Sequence, residues 1–505
     1  LRWGPDGCLW FRQGYHIWSY VETPYGLAEL NRSGIWRFNP RTLRLDSFLN
    51  ESAAGLNCWG TAWDDQGQMF HGSGADTPIW HSTPGLIPTL HPKALPTALA
   101  HSRGKSMEPE ILGSSHLPEE LRGVLLKSTY FTSQVQLYRL RDQGSSFRTE
   151  DLGDLLAGGK EFRPVETRVG PEGAIYVADW LNPVIGHYQA SYRDPRRDQS
   201  HGRIWRITAK GLPTVKQPDL VAMSESELFA QLGSPERWTR THARRLLFYR
   251  PSDNVGAAAD AFIAKDRADA QVLEALGVLQ SHGLVRPALL DRLQSSADFK
   301  VRAYATRVIG EWAAQLPDAQ ARLAKAVVDS HPRVRLEAVV ALSHVGGQAS
   351  LRTALGAVGQ TTDKFLDYAL KQTVRHLEPT AGQISKELPA PQAAYLKKIA
   401  STGPTIVSPG QAIYEALCLN CHQATGQGLT GVYPPLARSE WVAGDPQTLI
   451  KLTIHGLVGT TKVLGKDYGL VPMPPMGLDD QQLADVLTYV RSAFGNSAPA
   501  VTPAE

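Results

Sequence analysis

Cysteine is scarce in this chain, with four in 505 residues. Cys8 and Cys58 stand alone near the beginning, and the other two fall in a single C-x-x-C. That excludes a disulfide-framework fold, and it excludes a four-cysteine zinc site because no second C-x-x-C supplies the remaining ligands. Methionine is nearly as rare, at five. No run of eighteen apolar residues occurs, so nothing reads as a membrane span. A basic run is also missing and the net charge is only +3, which argues against nucleic acid as a partner. The chain opens on Leu1 without a charged and then apolar leader, so any signal peptide is expected to lie outside this sequence. What is present is ordinary globular composition, 42 % apolar, with length for three or so domains.

The C-x-x-C reads Cys418-Leu419-Asn420-Cys421-His422. C-x-x-C-H is the sequence at which haem c is attached: two thiols bond the porphyrin vinyl groups, and the histidine ligates the iron. No βαβ pattern surrounds it, as a thioredoxin-like redox pair would need. Downstream the chain reads Pro472-Met473-Pro474-Pro475-Met476-Gly477. A thioether is a soft ligand that raises the reduction potential of haem iron opposite a histidine. Leu483, Val486, Leu487 and Val490 recur at helical spacing between Asp479 and Phe494, with Asp479 and Asp480 suited to the N-terminus. Ala412 to Leu417 also reads as helix. This order of helix, haem motif, proline-rich loop, methionine and closing helix resembles a class I cytochrome c domain over residues 405–497. In that family's pattern the ligand methionine precedes a proline, so the resemblance points to Met473 rather than Met476. His455, in Ile454-His455-Gly456, is the competing ligand, although a histidine between a helix end and a glycine is more often a cap or surface residue. Pro434-Pro435-Leu436-Ala437 resembles the loop that packs on a haem edge, and a purely structural role for it stays open.

Residues 1–212 carry an irregular repeat. Trp3-Gly4-Pro5-Asp6-Gly7-Cys8-Leu9-Trp10-Phe11, Trp63-Asp64-Asp65-Gln66-Gly67-Gln68-Met69-Phe70 and Val169-Gly170-Pro171-Glu172-Gly173-Ala174-Ile175-Tyr176-Val177 each read as a glycine turn followed by a short apolar strand. A later strand follows each: Ile35-Trp36-Arg37-Phe38, Leu137-Tyr138-Arg139-Leu140 and Ile204-Trp205-Arg206-Ile207. That recurrence is a signature of β-propeller blades, with a run of unrelated hairpins as the plain alternative. Turns at Gly7, Gly67 and Gly173 predict three blades, fewer than the four a closed ring needs. The expectation is therefore a partial propeller, completed by another chain or by a missing N-terminal segment.

Residues 222–400 are rich in alanine, leucine and arginine at helical periodicity. Val301, Arg302 and Ala305 return as Val334, Arg335 and Ala338 thirty-three residues later, and Arg240 and Ala243 fit the same frame. This resembles HEAT-type helical pairs, with valine and alanine packed and arginine on the ridge between repeats. His242, His282, His331 and His344 read as structural or surface residues of this region. Pro389-Ala390-Pro391 and Ser401-Thr402-Gly403-Pro404 read as linkers, and Pro499 to Glu505 as a short tail. The fold class is thus multidomain: a partial β-propeller, an α-helical HEAT-like solenoid and an all-α cytochrome c domain.

That order resembles the membrane-bound dehydrogenases of planctomycete-type bacteria. The resemblance is carried by Phe162-Arg163-Pro164-Val165, by the run from Tyr176 to His187, by Arg193-Asp194-Pro195-Arg196-Arg197-Asp198, by His201-Gly202-Arg203-Ile204-Trp205-Arg206, and by Leu436-Ala437-Arg438-Ser439-Glu440-Trp441 with Met473-Pro474-Pro475. The propeller part is similar to soluble quinoprotein sugar and sorbosone dehydrogenases, but lacks their first blades. The resemblance implies a periplasmic or exported protein, because haem c is attached outside the bacterial cytoplasmic membrane. A Cys8–Cys58 disulfide would be permitted there. It also implies pyrroloquinoline quinone with calcium as a candidate cofactor, and a small sugar or alcohol as substrate.

Asp179, Trp180, Asn182 and His187 follow the strand Ile175 to Val177, where loops reach the mouth of a propeller channel. Alcohol oxidation needs a base for the hydroxyl proton, a role open to His187 or Asp179, and Arg163 and Arg203 are suited to quinone carboxylates. Against this, an Asp-Trp after an inner strand often ties blades together, and Arg203 is equally suited to capping one. The preceding blade offers His71, Asp76 and His81, which read more simply as surface-loop residues. The functional expectation is a haem c-containing periplasmic oxidoreductase that passes electrons from a sugar or alcohol to an acceptor protein. Its rivals are a catalytically silent electron-transfer or assembly subunit and a carbohydrate- or protein-binding module with a redox sensor attached.

Overall fold

The computed structural model describes residues 1–14, 17–49, 57–73, 78–82, 99–105, 107–185, 191, 193–265, 267–360, 362–378, 384–401, 408–469 and 471–505. The chain forms two compact units, Leu1–Trp180 with Gly202–Gly403, and Leu181–His201 with Pro404–Glu505.

The first unit begins with four successive antiparallel sheets rather than the three blades counted from turn signals. The first contains β1 (Arg2–Trp3), β2 (Leu9–Gln13), β5 (Gly34–Asn39) and β6 (Arg44–Leu49), with β3 (Trp18–Thr23) and β4 (Gly26–Asn31) as a separate hairpin between β2 and β5. The second holds β7 (Cys58–Trp63), β8 (Met69–Ser73), β9 (Pro78–Ser82) and β10 (Ala100–His101). The third holds β11 (Pro109–Ile111), β12 (Val124–Thr129), β13 (Gln134–Gln143) and β14 (Ser146–Ala157). The fourth holds β15 (Pro164–Val169), β16 (Ile175–Asp179) and β17 (Arg203–Ile207). The third sheet escaped the repeat because its first turn is long. Residues 4–8, 64–68 and 170–174 join the first two strands of the other sheets, whereas residues 112–123 do so here. With four sheets present, the shortfall of blades inferred from three turns does not follow from the sequence.

Each short turn puts a glycine in the left-handed region, at φ 74° for Gly7, 71° for Gly67 and 88° for Gly173, which only glycine adopts cheaply. An ion cluster joins the entry strands. Glu108 and Glu110 accept from Arg2 at 2.7 and 2.9 Å, Arg168 reaches the same pair at 3.1 and 3.4 Å, and Arg12 adds a contact to Glu108 at 3.2 Å. Cys8 and Cys58 lie at opposite strand ends. Cys8 closes the turn before β2, while the Cys58 N–H donates to Ser33 Oγ beside Gly34, which pairs with Gln13 at the far end of β2. Some five extended residues, roughly 16 Å, separate those levels, which no disulfide spans.

From Glu225 to Ser401 the unit is a stack of helices with a continuous core. Val301, Ala305, Val334 and Ala338 are all buried in it, as the thirty-three-residue frame requires. The repeating arginine staples the loop that enters its own helix. Arg240 donates to the Ser234 and Pro235 carbonyls, Arg302 to Ser296 and Ala297, and Arg335 to Asp329 and Ser330. Ala338→Leu should overpack this core and cost about 1–3 kcal/mol, measurable by denaturant titration; an unchanged midpoint would contradict the packing described here.

The solenoid is not a detached spacer. The sheet turns rest on it, Gly7 against Ser281, Gly67 against Tyr304 and Gly113 against Arg237. Polar ties add to the packing. Arg307 donates to the Gly67 carbonyl at 2.6 Å, Gln68 to Glu337 at 2.9 Å, and Arg37 pairs with Glu311 at 3.0 Å. Pro389-Ala390-Pro391, read as a linker, instead opens the helix Ala390–Ser401, since proline is tolerated in a first helical turn. Residues 402–404 of the second linker lie outside the described residues.

In the second unit, the helix Pro409–Ile413 crosses the closing helix Asp480–Ser492 at Gly410, where any side chain would collide with the Asp485 carbonyl. A capping box between Asp479 and Gln482 starts the closing helix, and Leu483, Val486, Leu487 and Val490 face inward as the spacing predicts. The last residues are not a loose tail. Arg491 donates to the Pro499 carbonyl at 2.7 Å, and the Val501 N–H donates to Thr488 Oγ1 at 2.9 Å.

Candidate functional site

Cys418 ends a π-turn, Tyr414–Cys418, and Cys421 and His422 lie on the short helix Leu419–His422 that follows. The wide turn opens the backbone where the two thiols must reach one ligand. Tyr414 is buried, its hydroxyl donates to the Gln423 carbonyl at 2.6 Å, and its ring packs on Phe494 and Tyr489 at 5.0 and 5.5 Å. These contacts fix the chain on both sides of the motif.

The electronic detail lies in His422. Its Nδ1 sits 2.9 Å from the Pro434 carbonyl, which can only accept, so Nδ1 carries the proton and Nε2 the lone pair. That is the tautomer an iron ligand needs, oriented by a carbonyl in the manner of metal-bound histidines. The Pro434 loop is held close by Gly428, whose left-handed backbone (φ 62°) leaves no room for a side chain against the Tyr433 and Pro434 carbonyls. Burial pushes the Cys418 thiol up to about 12. A disulfide-exchange pair needs the reverse shift. Donor set and geometry thus fit haem c: Cys418 and Cys421 to bond it, and His422 to ligate its iron.

Met473 and Leu457 exchange two backbone hydrogen bonds at 2.9 Å, and Gly456 leaves the space that the Met473 carbonyl occupies. The Met476 N–H donates to the Thr453 carbonyl at 2.9 Å. Both methionines are half-buried, whereas His455 is exposed at the end of the helix Pro446–His455, next to its glycine cap.

In the propeller part, Asp179 ends β16 and is buried. One carboxylate oxygen accepts from the Arg163 N–H at 2.8 Å, and the other from Arg203 Nε at 2.8 Å and Trp205 Nε1 at 2.9 Å. Arg163 is buried too, and donates to the Tyr130 and Phe131 carbonyls and to Ser133 Oγ. These residues bracket the fourth sheet and tie it to the third. His187 and Asp76 lie outside the described residues. His71 and His81 are not loop residues but buried in β8 and β9. His71 is bonded to Ser82 at 2.6 Å, and His81 to Ser146 and Gln68, each at 2.8 Å. Arg163 and Arg203, the candidates for quinone carboxylates, are engaged within the sheets, Arg163 with the Tyr130 and Phe131 carbonyls and Arg203 Nε with Asp179. Among the described residues, no cluster of three metal-capable side chains offers a calcium site.

A haem c centre on a helical domain, following β-sheets and HEAT-like helices in one chain, defines a multidomain c-type redox protein for electron transfer. Family models match three parts of the chain: cytochrome c over residues 407–494, HEAT repeats over 286–374, and a domain of unknown function over 105–211. Cytochrome c-552 of Thermus thermophilus is 38% identical over 92 residues, which cover 17% of this chain and 70% of that protein. The chain belongs, through this domain, to the cytochrome c family. It is also 28% identical over 151 residues to the cytochrome c subunit of a quinone-type alcohol dehydrogenase of Gluconacetobacter polyoxogenes, covering 29% of this chain. It spans only 32% of that subunit's length. A solved oxidoreductase (glucose dehydrogenase) of Thermus thermophilus matches 41% of this chain and 63% of its own at 20% identity and TM-score 0.27, a likeness on which no argument rests.

Proposed function

We propose that this chain is the electron-carrying component of a periplasmic dehydrogenase system, receiving electrons from alcohol or sugar oxidation and delivering them to an acceptor protein. The observation that carries this reading is the Nδ1 hydrogen bond from His422 to Pro434, which orients the imidazole and strengthens Nε2 as a donor to iron. His422, with Met473 as the candidate second ligand, would hold haem c, which would supply one-electron chemistry at a potential that a thioether ligand raises. The chain's own residues do the rest. Cys418 and Cys421 make attachment permanent, Tyr414 locks the turn after the motif, and the Leu457–Met473 pair holds the methionine loop. Among the described residues no helix is long and apolar enough to cross a membrane.

A second reading places the oxidation in the propeller itself, with His187 as base and Asp179 and Arg163 positioning its loop. It is favoured by the position of Asp179 at the end of β16, a few residues before His187 in the sequence. Stopped-flow measurement of haem reduction separates the two. The oxidised chain should be reduced rapidly by a quinoprotein alcohol dehydrogenase turning over its substrate, and should stay oxidised with alcohols or sugars alone. Reduction without that enzyme, when pyrroloquinoline quinone and calcium are added, and slowed by His187→Ala, would establish the second reading. No reduction under either condition would overturn both.

A further inference from the structure

The hairpin between β2 and β5 has two unlike faces. Its strands β3 and β4 pair in an antiparallel register that sets Trp18 opposite Asn31, Tyr20 opposite Glu29 and Glu22 opposite Leu27. Alternation along each strand puts those six side chains on one face, and Ser19 and Leu30 on the other. The second face is the seated one. Leu30 is buried, and Gln13, itself buried in β2, donates to the Ile17 and Leu30 carbonyls at 2.9 and 2.7 Å and accepts from Ser19 Oγ at 2.6 Å. Both strands are pinned to β2 by that one amide.

The first face lies open. Trp18, Tyr20 and Leu27 are 53%, 60% and 61% exposed, and large apolar side chains grouped on an open face mark a binding surface. Each ring has a polar neighbour across the hairpin. Directly opposed side chains stand about 5 Å apart, so Asn31 flanks Trp18 and Glu29 flanks Tyr20. Along β3 the two aromatic residues are set about 7 Å apart. Neither strand contains lysine or arginine, while the face carries two carboxylates, Glu22 and Glu29, the second also accepting from Asn31 Nδ2. An acidic ligand would be repelled, and a wholly apolar one would strip water from both carboxylates without replacing it.

We propose that this face binds a neutral oligosaccharide, its pyranose rings stacked on Trp18 and Tyr20 and its hydroxyls bonded to Asn31, Glu29 and Glu22. A pyranose presents an apolar face of C–H bonds rimmed by hydroxyls, and an aromatic ring with a carboxylate or amide beside it complements both parts. Tryptophan and tyrosine supply that contact area with little side-chain freedom to lose. Nothing in the haem centre enters this argument, so the site stands or falls separately from the electron-transfer reading.

The test titrates the full haem-loaded chain with cellohexaose, xylohexaose, mannohexaose and maltohexaose, followed by calorimetry and tryptophan fluorescence. At least one of these neutral sugars should bind saturably and with little dependence on salt, and hexagalacturonate should bind at least tenfold more weakly. Trp18→Ala and Tyr20→Ala should each lose at least tenfold. Both side chains are exposed, so the melting temperature and haem spectrum of these variants should match the parent and the loss reports binding rather than misfolding. Failure of all four sugars to saturate, equal affinity for hexagalacturonate, or a Trp18→Ala protein that binds like the parent would each overturn the proposal. Tighter, salt-sensitive binding of hexalysine than of any sugar would overturn it too, giving the face to a cationic peptide.

Discussion

Met473→Ala is expected to lower the reduction potential by on the order of a few hundred millivolts, since axial ligation moves haem potentials across about 0.8 V. The sulfur-to-iron absorption band should vanish while the haem stays covalently attached through Cys418 and Cys421. The change should be chemical rather than structural. Met473 is held through its backbone, by the paired hydrogen bonds with Leu457 and the space left by Gly456, and alanine keeps both. Met476→Ala should leave potential and band nearly intact. Spectroelectrochemical titration of the two variants decides the assignment. A band that survives in Met473→Ala but is lost in Met476→Ala moves the ligand to Met476, and a native protein without the band points to His455.

The sequence was most legible where chemistry is local. Cys418, Cys421 and His422 must be contiguous because one haem takes all three, so the motif stands whole in the chain. The closing helix was legible because Leu483, Val486, Leu487 and Val490 share one face over a short span. The role of Pro434 was not legible, although its loop drew attention as a haem wall: a carbonyl hydrogen bond across a loop leaves no side-chain signature. In the solenoid, periodicity revealed the packed Val334 and Ala338, but not that Arg335 staples a loop through backbone carbonyls. The third sheet was hidden because residues 112–123 replace a short glycine turn. Asp179 and Arg163 look alike in sequence whether they face a substrate or bracket a sheet, and only their hydrogen-bond partners reveal the bracket.

Least legible of all was the joint between sheets and solenoid, and its central residue should carry a large share of that unit's stability. Arg333 is 1% exposed, and its guanidinium lies 3.9 Å from the Phe147 ring. It donates to Asp142 Oδ1 at 2.8 Å, to the Ser145 carbonyl at 3.3 Å and to the Ser146 carbonyl. Arg333→Ala would leave the buried Ser145 and Ser146 carbonyls without their donor, at a cost of about 1–3 kcal/mol, while the exposed Asp142 keeps Lys300. Lysine should not restore it, because a point charge cannot serve three diverging acceptors. Burial opposes ionisation of Asp142, but Lys300 and Arg333 prevail and hold its carboxyl below the usual range. Its contribution is therefore complete at neutral pH and is lost as acidification protonates it in the folded state. Arg333→Ala should both lower the denaturant midpoint and flatten the acid side of the stability profile, with the haem spectrum unchanged under native conditions. A loss below about 1 kcal/mol, or an acid limb as steep as the parent's, would show that apolar packing rather than this arginine holds the joint.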